Sequence, residues 1–476
     1  MRRKSQGIMK IEQIYTGCLA QGAYYIESEG EVAIIDPLRE VQPYIDRAQK
    51  DNARIKYVFE THFHADFVSG HLTLADKTGA TIVYGPNADT SFKAHNAKDN
   101  EVFKLGKITL TALHTPGHTM ESTTYLLQDQ NGKDYAIFTG DTLFLGDVGR
   151  PDLAQKATNL TQEDLAGILF DSLRTKIMPL ADDVIVYPAH GAGSACGKNL
   201  SKETVGLLGE QKKNNYALRE TMTRDEFIQE VTEGLLPPPA YFPLNVKLNK
   251  EGYESIDSII EKGKVALEPD EFEMIANNSG AVVLDVRHQS EFIAGHVPRS
   301  TFIGLDGGFA PWVGALIADV KQPILLITPP GREEEAITRL SRVGFDNILG
   351  HLKGGFKSWV LANKEIDKLT SIEVGEFTSI IDKNKVPVFD VRKEGEFNTA
   401  HLKDATFTPL DYINDYLSDF PTDKTFYIYC AGGYRSVIAA SILKSRGIHN
   451  HIDIAGGFSA IKTLDVAITN NSCSTL

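Results

Sequence analysis

The sequence predicts an α/β multidomain protein, and three observations carry that prediction. Short apolar runs alternate with helical stretches from Ile11 to about Leu200. A proline-rich segment, "GLLPPPAYFPLNVKLN" (234–249), then interrupts the pattern. Beyond it one segment of sequence recurs once, at long range. At 476 residues the chain is too long for a single core, and roughly three domains are expected.

In chain order, "MRRKSQGIMKIEQIY" has basic residues with no apolar segment behind them, which is not the pattern of a secretory signal. Met9 offers an alternative start, with the preceding octet expected to be disordered. "VAIIDP", "YVFETH", "ITLTALHT", "YAIFTGD" and "DVIVYPAH" read as buried strands. Several end in His or Asp, which puts potential ligands on loops where strands stop, the usual place for chemistry in α/β enzymes. "TRDEFIQEV" sets Thr223 three residues before Glu226, a helix capping box. The segment 234–249 cannot continue a helix or an interior strand, so a long loop or a domain boundary is expected there.

"EPDEFEMIANNSGAVVLDVRHQSEFIAGH" (268–296) aligns without a gap onto "EVGEFTSIIDKNKVPVFDVRKEGEFNTAH" (373–401). Asp285/Asp390, Arg287/Arg392, Glu291/Glu396, Phe292/Phe397 and His296/His401 match, and "LKGGF" (352–356) echoes "IAGGF" (454–458). So long a period means two tandem domains rather than a solenoid. Each copy carries strand and helix signals of a small α/β domain. The expected domains are 9–250, 251–368 and 369–470.

A net charge of -14 argues against nucleic acid or an anionic membrane as the main partner, because both need clustered Lys and Arg. No apolar run approaches the ~20 residues that span a bilayer. Cys18, Cys196, Cys430 and Cys473 are scattered without paired spacing. That disfavours a disulfide framework and suits a reducing cytoplasm.

Four segments could supply metal ligands: the His62/His64/Asp66 cluster in "ETHFHADFVSGH", His118 in "HTPGHTMES", Asp141 in "FTGDTLF" and His190 in "YPAHGAG". Imidazole and carboxylate suit zinc or iron, and strand-end positions hold them convergent. One such His alone is commonly a packing or capping residue; four signals in this order are not explained that way. "THFHAD", "TPGHT", "GDTLF" and "GRPDL" resemble the metallo-β-lactamase superfamily over 11–200, nearest to the glyoxalase II-like branch that includes persulfide dioxygenases. The resemblance implies an αββα sandwich with one Fe(II) per chain on His62, His118 and Asp141, and O2 as co-substrate.

In the two-metal hydrolases of that family the cassette ends in a second-site His. Phe67 occupies that position here, so the second site loses a ligand. Two His and one carboxylate remain, the facial triad of non-haem iron oxygenases. The resemblance makes His64, Asp66 and His190 groups that orient the ligands; the alternative is that they hold a weakened second zinc. Arg150 either faces an anionic substrate or pairs with Asp152. Cys196, six residues beyond His190, is either a second sulfur-handling thiol or an incidental loop cysteine. Cys18 and Cys473 carry no motif, and Cys473 falls in a polar tail expected to be disordered.

"FYIYCAGGYRSVIAASIL" reads as strand, Cys430, glycine-containing loop, helix. A thiolate nucleophile there is stabilised by loop N–H groups and the helix N-terminus, and Gly432 and Gly433 let the loop curl. Arg435 adds positive charge near bound sulfite or thiosulfate. Cys430-x-x-x-x-Arg435-Ser436 after a strand, with the "DVR…EF…H" element upstream, resembles the rhodanese sulfurtransferases over 370–465. That implies a Cys430 persulfide held by the loop Ala431, Gly432, Gly433, Tyr434 and Ser436. The middle copy puts Thr328 opposite Cys430 and Glu333 opposite Arg435, with Pro329 and Pro330 deleting two N–H donors. It reads as an inactive copy with a spacer or docking role.

The whole chain resembles fusions of a persulfide dioxygenase with two rhodanese domains, the first inactive. The expected substrates are a small-molecule persulfide (of glutathione, coenzyme A or a similar thiol) and sulfite or thiosulfate, in cytoplasmic sulfide detoxification, with no nucleic acid or membrane partner and a homo-oligomeric state. The rival is a zinc-dependent glyoxalase II-like thioester hydrolase fused to a sulfurtransferase.

Overall fold

Side-chain alternation sets the first layers. In the computed structural model, which describes residues 9–155, 159–381 and 386–470, the strand Gln21–Ser28 sends Tyr24 and Ile26 to one face and Ala23 and Tyr25 to the other. Glu31–Ile35 divides likewise, Ala33 and Ile35 against Val32 and Ile34. A sheet apolar on both faces must be covered on both. One face packs on a second sheet through Leu110, Tyr125, Leu127 and Phe138. The other lies under the helix Gln42–Lys50, which contributes Tyr44 and Ala48. The second sheet turns Leu126, Ile137 and Val186 outwards onto the helix Gln162–Ser172, at Ala166 and Leu169. The layers are therefore helix, sheet, sheet, helix.

Each sheet has six strands in chain order, from Lys10–Thr16 to His95–Asn96 in the first and from Val102–Leu105 to Gly206–Leu207 in the second. The Thr223 capping box is present, its hydroxyl and N–H both engaged with Glu226. The expectation for 234–249 needs correction. Residues 234–241 are irregular, but Phe242–Glu251 is a helix. Pro243 falls in its first turn, where a missing N–H loses no partner.

The chain divides into two compact units, the first comprising 1–256 with 341–344 and the second the remainder. In the second unit each sequence copy has its own five-stranded parallel sheet. The strand orders correspond: Ala266–Leu267, Ile348–Leu352, Ile324–Ile327, Val282–Asp285, Thr301–Phe302 in one, and Ser371–Ile372, His451–Ile454, Phe426–Tyr429, Val388–Asp390, Thr406–Phe407 in the other. The repeated Asp and Arg form matching buried pairs, Arg287–Asp285 and Arg392–Asp390, each 2.6 Å. His296 and His401 stack on Phe292 and Phe397 and bond their carbonyls. Most of the repeated residues are thus scaffold. Cys18, Cys196 and Cys430 are free thiols; Cys473 and the octet before Met9 lie outside the described residues. No helix among the described residues is long and apolar enough to cross a membrane.

Candidate functional site

The strand Arg54–Phe59 ends just before the cassette, and the first unit brings the ligand candidates together where its strands stop. His62, His118 and Asp141 are all buried, with donor atoms within 4.8 Å of one another. The orientation of the two rings is set locally. Thr61 Oγ1 donates to Asp36 Oδ2 at 2.8 Å, so it accepts from His62 Nδ1 at 2.9 Å. His118 Nδ1 meets the Arg150 carbonyl at 2.9 Å, which can only accept. With Nδ1 engaged, both rings turn Nε2 towards Asp141 Oδ2, at 3.8 Å (His62) and 3.4 Å (His118). Burial, with His64, His118 and His190 nearby, holds His62 well below the usual imidazole range. Neither Asp141 oxygen has a hydrogen-bond partner among the described residues. Two imidazole Nε2 atoms and a buried carboxylate without a hydrogen-bond donor fit a divalent cation, and an N,N,O set suits iron or zinc alike.

Asp141 also faces the other way. His190 Nε2 lies 3.5 Å from its Oδ1 and 3.4 Å from Asp66 Oδ2. His64, Asp66 and His190 form a second buried group, and Asp141, His190 and Cys196 a third. Cys196 is therefore beside the centre, and burial, with Asp141 and Asp66 adding, pushes its thiol well up. Phe67 is fully buried, its ring centroid 4.3 Å from that of His64. His64 Nε2 is turned to Asp36 Oδ1 at 3.0 Å and Glu60 Oε2 at 3.5 Å. Burial alone would depress His64, but Asp36, Glu60 and Asp66 reverse this and lift it to about 9.

Arg150 has little left for a substrate. Its guanidinium makes a fork to Asp152 at 2.6 and 2.7 Å and reaches the carbonyls of Ala195 at 3.2 Å and Leu236 at 2.5 Å. Its N–H donates to Cys196 O, so one residue joins the His118 tautomer to the Cys196 loop. A Cβ at Gly149 would lie 2.0 Å from Asp141 O and 2.9 Å from His118 Nδ1, so only glycine lets the chain pass there.

Sequence reasoning missed three supports of this centre. Asp36 orients Thr61 and His64. Glu60 bonds Ser69 and approaches His64. Asn249, on the unforeseen helix, donates to His64 O and Phe67 O and accepts from Ser69 N, each at 2.8 Å. Asp36 and Glu60 end apolar strands and could have been read with the other strand-end acids; Asn249 carries no local signal.

In the second unit Cys430 follows the strand Phe426–Tyr429, and the helix Tyr434–Ser445 begins four residues on. Of the expected N–H cradle, Gly433 N reaches Cys430 Sγ, at 3.1 Å. Gly433 has φ +99°, which favours glycine. Arg435 is committed: its two terminal nitrogens pair with Glu396 at 2.6 and 2.8 Å, and this holds the Glu396 carboxyl below its usual range. Ser436 is buried and Tyr434 Oη donates to Gly304 O at 2.7 Å. In the other copy Thr328 is buried with no partner for its hydroxyl among the described residues, and Arg332 pairs with Glu335 and Asp306.

Comparison with known proteins agrees with this fold. Residues 16–190 match the metallo-beta-lactamase superfamily, and 268–362 and 373–464 each match the rhodanese-like domain. The crystal structure of a metallo-beta-lactamase from Staphylococcus aureus aligns with a TM-score of 0.65 at 32% identity, covering 73% of this chain and 99% of that one. The chain belongs to the metallo-beta-lactamase superfamily and carries two rhodanese-like domains behind its sandwich. Among curated relatives, the cytoplasmic hydroxyacylglutathione hydrolase of Arabidopsis thaliana is 35% identical over 147 residues, 30% of this chain and 56% of that protein. The human mitochondrial persulfide dioxygenase ETHE1 is 28% identical over 221 residues, 46% of this chain and 78% of that protein. The chain thus spans less than two thirds of the Arabidopsis relative.

Proposed function

We propose that the protein oxidises a low-molecular-weight persulfide with O2 at an iron centre in the first unit and transfers persulfide sulfur to sulfite at Cys430. The observation that carries the reading is the pairing of sites: a buried three-donor centre beside a cassette that has Phe67 in place of a second-site His, and a cysteine loop of sulfurtransferase type in the same chain. The likeness to persulfide dioxygenase supports it.

His62, His118 and Asp141 would hold the metal, and iron(II) there would supply oxygen chemistry on a centre with positions left open for substrate and O2. The chain's own contribution is positional. Thr61 and the Arg150 carbonyl engage Nδ1 of each imidazole and so aim each Nε2 at Asp141. Phe67 packs on His64 with a ring that binds no ion. The overall reaction is R–S–SH + O2 + H2O giving R–SH, sulfite and two protons. At Cys430 the thiolate attacks the outer sulfur of a second persulfide, R–S⁻ leaves, and the bond formed is Cys430 S–S. Sulfite then attacks that outer sulfur, giving thiosulfate and returning the Cys430 thiolate. Both sites on one chain keep the sulfite produced close to its acceptor. The copy lacking cysteine would be inactive, since a hydroxyl at Thr328 cannot carry transferable sulfur.

A zinc thioester hydrolase is the second reading, favoured by the Asp66–His190–Asp141 group and by the hydroxyacylglutathione hydrolases. Metal analysis with oxygen uptake on glutathione persulfide separates the two. One iron per chain and O2 consumption are expected; two zinc ions with thioester cleavage would sink the proposal.

A further inference from the structure

We propose that the cysteine-free copy holds the Cys430 loop in shape by a clamp on Tyr434. This rests on the reading of Cys430 as the transfer thiol.

Tyr434 is the fourth residue after Cys430 and opens the helix behind the loop. Its side chain does not stay within its own copy. The hydroxyl donates to Gly304 O at 2.7 Å, and the ring meets Phe302 edge-on at 5.8 Å. Gly307 leaves the space the ring occupies: a Cβ there would stand 2.2 Å from it. About two turns further along the same helix, Ser441 Oγ accepts from Phe302 N at 2.9 Å. The helix that carries the persulfide loop is thus tied at two points to the segment 302–307.

That segment is in turn braced from its own side. Arg339 Nη1 donates to Leu305 O at 2.6 Å, and Arg332 Nη1 to Asp306 Oδ1 at 2.8 Å. Arg332 occupies the position that Tyr434 holds in the other copy. The elements that make a thiol loop in one copy are used in the other to hold the receiving wall. Because the loop's N–H groups must point at sulfur in one conformation, fixing the first residue of the helix limits how far Gly432 and Gly433 can relax.

The test uses the full chain with Tyr434→Phe, Gly307→Val and the double variant. Two rates are read: alkylation of Cys430 by iodoacetamide at fixed pH, followed by mass spectrometry, and thiosulfate formation from glutathione persulfide and sulfite. Tyr434→Phe keeps the ring and loses one hydrogen bond, so a drop of about fivefold in both rates is expected. Gly307→Val evicts the ring, with about tenfold or more expected. The double variant should fall no further than Gly307→Val, since both act through one contact. Both rates within twofold of wild type in Gly307→Val, or losses that multiply in the double variant, would overturn the clamp. Should Gly307→Val fail to fold, Tyr434→Phe decides by the same twofold criterion. Sulfur transfer that survives in Cys430→Ser would instead refute the reading of the thiol, while the alkylation rates still judge the clamp.

Discussion

Replacing Arg150 by methionine separates a structural arginine from a substrate-binding one. The guanidinium is 6% exposed and its partner Asp152 10%. Methionine leaves that carboxylate without its counter-ion and strips hydrogen bonds from the Ala195 and Leu236 carbonyls. Removing one partner of a buried pair destabilises by roughly 3–5 kcal/mol, and each orphaned carbonyl adds about 1 kcal/mol if water does not reach it. Taking about 4 kcal/mol, and about 2–4 °C per kcal/mol for a unit of this size, the metal-free protein should melt about 8–16 °C lower. Lysine keeps the charge but not the fork, so Arg150→Lys should lose about half as much. Differential scanning calorimetry of metal-free protein is the assay, since metal affinity then does not enter. If Arg150→Met melts within about 2 °C of wild type while KM for persulfide rises tenfold, the guanidinium faces substrate and the structural account fails.

Asp141→Ala removes the carboxylate shared by both histidine groups and should abolish iron retention through gel filtration; full iron occupancy would overturn the ligand assignment. Phe67→His should restore a second-site donor beside Asp66 and His190, and zinc titration should rise from one equivalent towards two. Unchanged stoichiometry would show that Phe67 is not what limits the site. In the second unit His296 and His451 are held at about 4 by burial. Their folded values lie below the unfolded 6.5, so stability is full above about pH 6.5 and declines as pH falls towards 4, by up to about 3 kcal/mol each. Urea midpoints across that window should fall, and His451→Gln should remove about one proton from the slope. An unaltered slope would mean that His451 is not buried in solution as it is here.

What could be read beforehand followed the physics of pattern. Strand ends announce the ligands because short apolar runs stop where the chain leaves the sheet, and His62, His118, Asp141 and His190 all stand beyond such ends. Phe67 was legible because a phenyl ring binds no ion whatever surrounds it. The helix Phe242–Glu251 was hidden by prolines, which forbid a helix interior but suit its first turn. With it went Asn249, whose role depends on a contact 185 residues away in sequence, to His64 O. Glu396 recurs as Glu291 in the other copy, yet its pairing with Arg435 is not legible, because sequence shows which positions recur and not which of them meet. Position alone places Tyr434 in the loop; what its ring touches is a matter of tertiary packing.

The order of strands has a consequence for synthesis on the ribosome. In the sandwich each new strand is laid beside the one before it, so both sheets can grow as the chain emerges, and the groups around Asp141 can gather early. The rhodanese-like sheets cannot do this. Ala266–Leu267 is made first but waits for Ile348–Leu352, and Ser371–Ile372 waits for His451–Ile454. Each such sheet stays open until nearly its whole copy has been translated, with apolar strands such as Phe426–Tyr429 uncovered in the meantime. Stalled or truncated products should therefore be folded at the metal end and sticky at the sulfur end, a liability placed where chaperones meet the chain last.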